Sequence, residues 1–334
     1  MSKSAKVIGA IALFVTAIGT SQSFADANGV PNSKAKGYWT QERMNSAKPI
    51  ELIVDEASGV GKIQVAASAK SSGKTTSSSG SSTIQSTTDW PTDAPIAQTA
   101  VGKVFFTASG SNYVCSGALV KDGISSLAIV ATAGHCVWEQ NSAGGGFVSN
   151  WIFVPNFDGN PNGTQWAASA LVVRDEFASQ TSFNITALQN DWAFAVIKSD
   201  SGNLPDNNDA NAYALSVSGF SANNASFAFG YPAQAPFNGQ SLKYAGATIF
   251  VDPNTKSTWG MNSTMTGGAS GGPWLSNGTS RDGLVFGQSG AISSVNSYKY
   301  NRDSTKMYGP FFNTRTTATF NAAKTAASNT RVSG

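Results

Sequence analysis

From about Pro95 onward the chain alternates short apolar runs with polar breaks. KVFFTAS, NYVCSGALV, LAIVATA, WIFVPN, SALVV, WAFAVI, SFAFGY, KYAGATIFV and LVFGQSGAIS are rich in Val, Ile, Phe and Ala, and Gly, Asn, Asp and Pro separate them. Short β-branched and aromatic runs between turn residues predict an antiparallel all-β barrel or sandwich. The polar stretch from Asp200 to Tyr213 reads as a loop joining two halves. Thr319 to Ser328 is the best helix candidate, and no internal repeat is visible.

The region before Pro95 has a different texture. Lys3 and Lys6 precede an apolar run, Val7 to Ile18, that is too short to span a bilayer. Ser23 and Ala25 stand at the offsets of a signal-peptide cleavage site, so residues 1–25 read as a signal peptide. Cleavage after Ala27 is a near rival, and an uncleaved anchor is the alternative. Between Asp26 and Gly61 only YWTQERM and PIELIVDE look structured. The stretch VAASAKSSGKTTSSSGSSTIQSTTD then has too little apolar surface to fold alone and reads as a linker. Residues 26–95 are therefore expected to be a propeptide, with an accessory module as the alternative, and residues 96–334 the functional domain.

Composition agrees with export. Apolar residues make up 40% of the 334 and charged residues only 12%, about half the usual share. The formal charge of +3 falls to +1 once Lys3 and Lys6 are removed with the leader, which attracts neither nucleic acid nor an anionic membrane. Beyond the leader no segment is long and apolar enough to span a membrane. A secreted, extracellular monomer is the default expectation. Export permits a disulfide, and with two cysteines, Cys115 and Cys136, one intrachain pairing exists.

The chemistry begins with TAGHC, which holds His135, the one histidine of the chain. It follows the buried-strand pattern of LAIVATA, so His135 falls at a strand end, with Cys136 able to pin its backbone. A nucleophile candidate lies in TMTGGASGGPW, where Ser270 stands between two pairs of glycines. Glycines there permit unusual backbone angles, and successive N–H groups can converge on one oxyanion. In NDWAFAVIK, Asp191 sits at the mouth of an apolar strand, costly unless paired, and His135 is a suitable partner. Asp158, Asp175 and Asp200 have more loop-like settings. One histidine without paired ligands argues against zinc, so neither metal nor cofactor is expected.

TAGHC, DWAFAV and GGASGGP, in that order, resemble the three signature segments of the chymotrypsin-like (trypsin-like) serine proteases. CSGALV resembles the segment carrying the partner cysteine of the histidine loop. The likeness runs from about Val101 to the C-terminus, and VGKVFFT with the low cysteine count looks most like the secreted microbial branch related to glutamyl endopeptidases. The resemblance implies an all-β fold of two six-stranded antiparallel barrels with a C-terminal helix and a site in the cleft between them. It implies His135, Asp191 and Ser270 as catalytic residues of an endopeptidase acting on proteins or peptides through an acyl-enzyme. Gly268 and Ser270 would supply the oxyanion-hole N–H groups, and Cys115 would pair with Cys136.

Two departures bear on maturation and specificity. Many members have Asp immediately before the nucleophile, to pair with a newly cut N-terminal amine; here that residue is Ala269, so maturation is expected to work by uncovering the cleft. At the pocket floor, Thr264 replaces the acid of Arg/Lys-specific members, and the chain has no histidine to spare for a glutamyl-type pocket. Thr264, Ser289 and Ser293 are the candidate pocket residues, with Ser293 matching the strand that pairs with substrate backbone. The alternatives are a silent pseudoprotease acting as a binding or adhesion module, and an esterase-like hydrolase, whose nucleophile elbow and strand–helix alternation are absent.

Overall fold

The computed structural model describes residues 34–66, 87–90, 95–141, 144–160, 164–198, 202–276 and 290–334. The expected leader (1–25) and most of the expected linker lie outside them.

The N-terminal segment folds first in chain order. Thr40 caps a short helix, Gln41–Ser46, and a hairpin follows, β1 (Lys48–Val54) with β2 (Gly61–Val65). The apolar runs after Pro95 then give β3 (Val101–Ala108), β4 (Ser111–Val120), β5 (Leu127–Thr132), β6 (Ser149–Pro155), β7 (Trp166–Arg174) and β8 (Ala193–Lys198). These six pair antiparallel in the order β3–β4–β5–β8–β7–β6, and β6 returns to β3. Closure leaves the barrel no open edge. Phe105, Phe153, Leu171 and Phe194 are fully buried in the core of this half.

The second half contains β9 (Ala225–Gly230), β10 (Lys243–Thr248), β11 (Thr258–Asn262), β12 (Pro273–Ser276), β13 (Ala291–Val295), β14 (Tyr298–Tyr300) and β15 (Asp303–Pro310). They form two ladders, β13–β12–β9–β10 and β11–β15–β14. Met261, Met265, Ala269, Trp274 and Met307 form a buried cluster here. Register shifts at Trp274/Leu275 and Tyr298/Tyr300 bend the ladders. The turns of residues 202–213 link the halves, as the polar composition of that stretch predicts.

The C-terminal helix α1 (Thr314–Thr325) starts five residues before the expected Thr319. Asn313 sets the start: its side chain accepts from Arg315 N at 2.8 Å, and its backbone N–H donates to Thr316 Oγ1 at 3.0 Å. The helix lies on the first barrel, with Phe320 against Phe194 at 5.3 Å between ring centres.

Two findings show how the segment before the expected boundary packs. Residues 34–66 contact both halves. Trp39 packs on Phe105 and donates its indole N–H to Asn150 O, and β1 pairs in parallel with both β4 and β14. Among the described strand pairings, β1 is the only ladder joining the two halves. Further on, Thr88–Asp89 adds an edge to β10, and Trp90 is buried between Phe229 and Tyr244. Trp90, within the expected 26–95 segment, thus packs on the second half.

A buried cation in β3 gives a stability test. Lys103 donates to Gly239 O at 2.9 Å and lies over the Phe157 ring, and burial pulls its ammonium down to about 7. In the unfolded chain a lysine titrates near 10.4, so between these values the unfolded state binds more protons. Stability therefore rises with pH across that window, by up to about 1.4 kcal/mol per pH unit. Urea unfolding of the full chain from pH 7 to 10 should show this rise, and Lys103→Met should remove one proton's worth of slope. An unchanged slope in the variant would contradict the assignment.

Candidate active site

His135 comes off the end of β5. After Thr132 the chain enters a single 3₁₀ turn, Gly134–Cys136. Gly134 is closely packed there: a Cβ would lie 3.0 Å from Asp191 Oδ1 and 3.1 Å from the Phe177 ring, so any larger residue would press on the carboxylate. Cys136 bonds to Cys115 of β4, and Trp151 Nε1 donates to Cys136 O at 3.2 Å, so the turn is tied to the barrel on both sides. The disulfide also takes both cysteines out of any metal-ligating set with His135.

Asp191 lies just before β8 and is fully buried. Its Oδ1 accepts the backbone N–H of His135 at 2.8 Å, and its Oδ2 pairs with His135 Nδ1 at 2.8 Å. Ser297 donates a third bond to Oδ2 at 2.5 Å. A carboxylate cannot donate, so Nδ1 carries the proton and Nε2 keeps its lone pair. Nε2 is buried and makes no hydrogen bond among the described residues. The competing acids are elsewhere: Asp175 pairs with Arg331, Asp158 accepts from Asn160 N, and Asp200 lies outside the described residues.

Ser270 sits in the Gly267–Gly272 turn, which packs on the strands behind His135. Gly268 has φ +95° and Gly271 φ +81°. A Cβ on Gly271 would meet Thr132 Oγ1 at 2.1 Å, and one on Gly272 would meet Phe229 O at 1.9 Å. These positions therefore require glycine. Ser116 N donates to Ser270 O at 2.7 Å, while Ser116 Oγ donates to Gly268 O at 2.9 Å and accepts from Tyr231 N at 2.9 Å. Asn296 holds the other side. Its Nδ2 donates to Ala269 O at 3.0 Å and Phe229 O at 2.8 Å, and its Oδ1 accepts from Trp274 Nε1 at 2.7 Å. Ala269, where many members of the family carry an acid, is fully buried among apolar side chains.

β1 crosses this site. Gly268 N donates to Ile50 O at 3.0 Å, so the first expected oxyanion donor already holds a carbonyl of the chain. Beside it Glu51 and Ile53 of β1 line a groove together with Thr264, Thr266, Gln234 and Lys299. Lys299 is buried and donates to Ser263 O and Ser304 O; burial lowers its ammonium to about 8 against the pull of Glu51 and Asp303. Burial raises the Glu51 carboxyl, and Lys299 opposes that shift.

The pocket candidates divide. Thr264 lies in the groove and bonds Thr87 through its N–H and hydroxyl. Ser293 does not: it is buried in β13, paired with Ser276 Oγ at 2.7 Å. The segment that runs past Asp191 and pairs with β1 is Ser297–Tyr300, four residues further on, because the chain must finish β13 and turn before it reaches the cleft. Ser289 lies outside the described residues. Sequence reading missed Ser116, Asn296, Ser297 and Lys299, none of which stands in a distinctive local motif.

No protein-family model and no curated protein matches this chain. Solved structures do. Protease Anisep from Arthrobacter nicotinovorans is 38% identical over 68% of this chain and 96% of its own, with a TM-score of 0.58. A thermostable serine protease, AL20, from an extremophilic microorganism is 35% identical over 70% of this chain and all of its own, with a TM-score of 0.60. A Glu endopeptidase structure, at 18% identity and a TM-score of 0.51, shares the fold. With its closed six-stranded barrel, its second β half and these relatives, the chain belongs to the chymotrypsin-like serine proteases.

Proposed function

We propose that the chain is a secreted serine endopeptidase, made as a latent precursor, that hydrolyses protein or peptide substrates through His135, Asp191 and Ser270. The observation that carries this reading is the double grip of Asp191 on His135 N and Nδ1, which leaves Nε2 free as a base. Ser270 Oγ attacks the scissile carbonyl and its proton passes to Nε2. The buried carboxylate stabilises the imidazolium. Backbone N–H groups of Gly268 and Ser270 receive the oxyanion. The proton then goes to the leaving amine, and water releases the acyl group by the same steps.

Latency is supported by the Ile50 carbonyl at Gly268 N and by the unpaired Nε2. Ala269 offers no charge for a new terminal amine, and Asn296 already holds its carbonyl. Maturation on this reading needs only removal of β1. The buried Trp90 supports a mature chain that begins upstream of Thr88.

A fluorophosphonate probe tests the reading on protein cut within residues 67–86. Label should map to Ser270 and be lost in His135→Ala. Absence of label on folded, cut protein would overturn the enzyme reading and favour a silent binding module.

A further inference from the structure

The direction of β1 across the cleft decides whether the site can cut it. A cleavable peptide must place its carbonyl at Gly268 N and the nitrogen bonded to that carbonyl beside His135, which protonates it as it leaves. His135 stands on the Cys115–Cys136 flank, next to β4; Ser297 and β14 form the other flank. A substrate therefore enters along β14 and leaves past β4. β1 runs the opposite way. Lys48 and Pro49 pair with Tyr113 and Val114 of β4, Ile50 presents its carbonyl to Gly268, and Leu52, Ile53 and Val54 pair with Tyr298, Lys299 and Tyr300. The nitrogen after the Ile50 carbonyl, that of Glu51, therefore points towards β14 and away from His135.

Resting on the protease reading above, we propose that the cleft is a docking surface for a reversed peptide strand, and that Lys48–Val54 is its intramolecular inhibitor, bound backwards and so not cut. Ile50, Leu52 and Val54 are buried in the core, and Glu51 lines the groove beside Lys299, whose ammonium attracts it. β2 covers the outer edge of β1.

Cysteine pairs in the full chain read the polarity directly. Lys48→Cys with Tyr113→Cys should crosslink on oxidation, and Lys48→Cys with Tyr300→Cys should not. The reverse result would mean substrate-like binding, and no crosslink in either would mean that the cleft is not occupied by β1; each overturns the proposal. On cut protein, a synthetic peptide of residues 34–66 should slow substrate hydrolysis and remain uncut between Ile50 and Glu51 by mass spectrometry. Cleavage there, or no inhibition while substrate is still hydrolysed, sinks the inhibitor and spares the protease reading; no hydrolysis and no label sinks the protease reading instead. Glu51→Lys sets like charges together, and the uncut chain should then label at least about tenfold faster. An unchanged rate would remove Glu51 from the anchor.

A separate observation lies on the far side of the first barrel. Carboxylate oxygens of Asp122, Asp206 and Asp209 lie within 4.8 Å of one another. Asp209 accepts the N–H groups of Asp122 and Gly123, and Asp122 Oδ1 accepts from Ile124 N. Among the described residues Asp122 Oδ2 and Asp206 Oδ1 have no hydrogen-bond partner, and their residues are only 5% and 1% exposed. Lys324 acts on Asp122 from α1. Two unpartnered buried carboxylate oxygens demand a cation or a proton. Oxygen donors with this spread suit calcium, whose bonds are about 2.3–2.6 Å, so we infer a calcium site here. After chelator treatment of the full chain, calcium should raise Tm by more than about 3 °C, magnesium by less, and Asp206→Asn should abolish the rise. No rise, or one that survives Asp206→Asn, overturns this site.

Discussion

Asp191→Asn should lower kcat of the activated protein by about 10⁴, the loss of the equivalent change in the serine-protease template. The asparagine carbonyl can still accept from His135 N. Its NH₂ then faces Nδ1, where the carboxylate oxygen was, and an amide donor there selects the tautomer with the proton on Nε2. The base loses its lone pair although the ring barely moves. Ser297→Ala removes one of three bonds to the same carboxylate and should cost about tenfold, mostly in kcat. Steady-state rates on one peptide substrate, with probe labelling as a second readout, check both. A loss below a hundredfold in Asp191→Asn would mean that the imidazole is oriented by something else.

Asn296→Leu should cost about 10²–10³ in kcat with little change in KM. Asn296 touches no substrate; it positions the turn that bears Gly268 and Ser270. Leucine would fill the space but leave Trp274 Nε1 without its acceptor and take one donor from Phe229 O and one from Ala269 O, which keeps the N–H of Gly272. The orphaned indole N–H costs about 1–3 kcal/mol, so stability should fall as well. Asn296→Asp separates positioning from packing. It keeps the shape but, ionised, cannot donate to either carbonyl, and its activity relative to wild type should recover as pH falls and the acid gains a proton. An Asp variant as active as wild type at every pH would show that those two bonds do not hold the site.

The residues that are legible in sequence share a local cause. His135 follows an apolar strand and lies in a turn, Asp191 stands just before another, and Ser270 lies among glycines that its turn requires. Their partners are defined by pairing across the fold. Ser116 contacts Gly268 across 152 positions, and Ser297 contacts Asp191 across 106. In a run such as AISSVNSYKY no local pattern separates Ser293, turned into the second half, from Ser297, turned towards the site. The β1 run PIELIV reads as a strand, but alternation along it does not say which edge it joins. The start of α1 was missed because Asn313 and Thr316 act as a cap only together, in an Asn- and Thr-rich tail.

β1 also settles when this protein is sticky. While it is in place, the ends of β4 and β14 that face the cleft are satisfied, and the outer side of β1 is closed by β2. Its departure uncovers two lengths of unpaired backbone, the kind of edge on which chains aggregate. Those same edges must be bare for a substrate to be held. On the proposed maturation, the uncut chain should therefore stay dispersed at concentrations where the cut chain self-associates, and losses of the cut chain on storage should come from strand pairing as well as from any self-digestion.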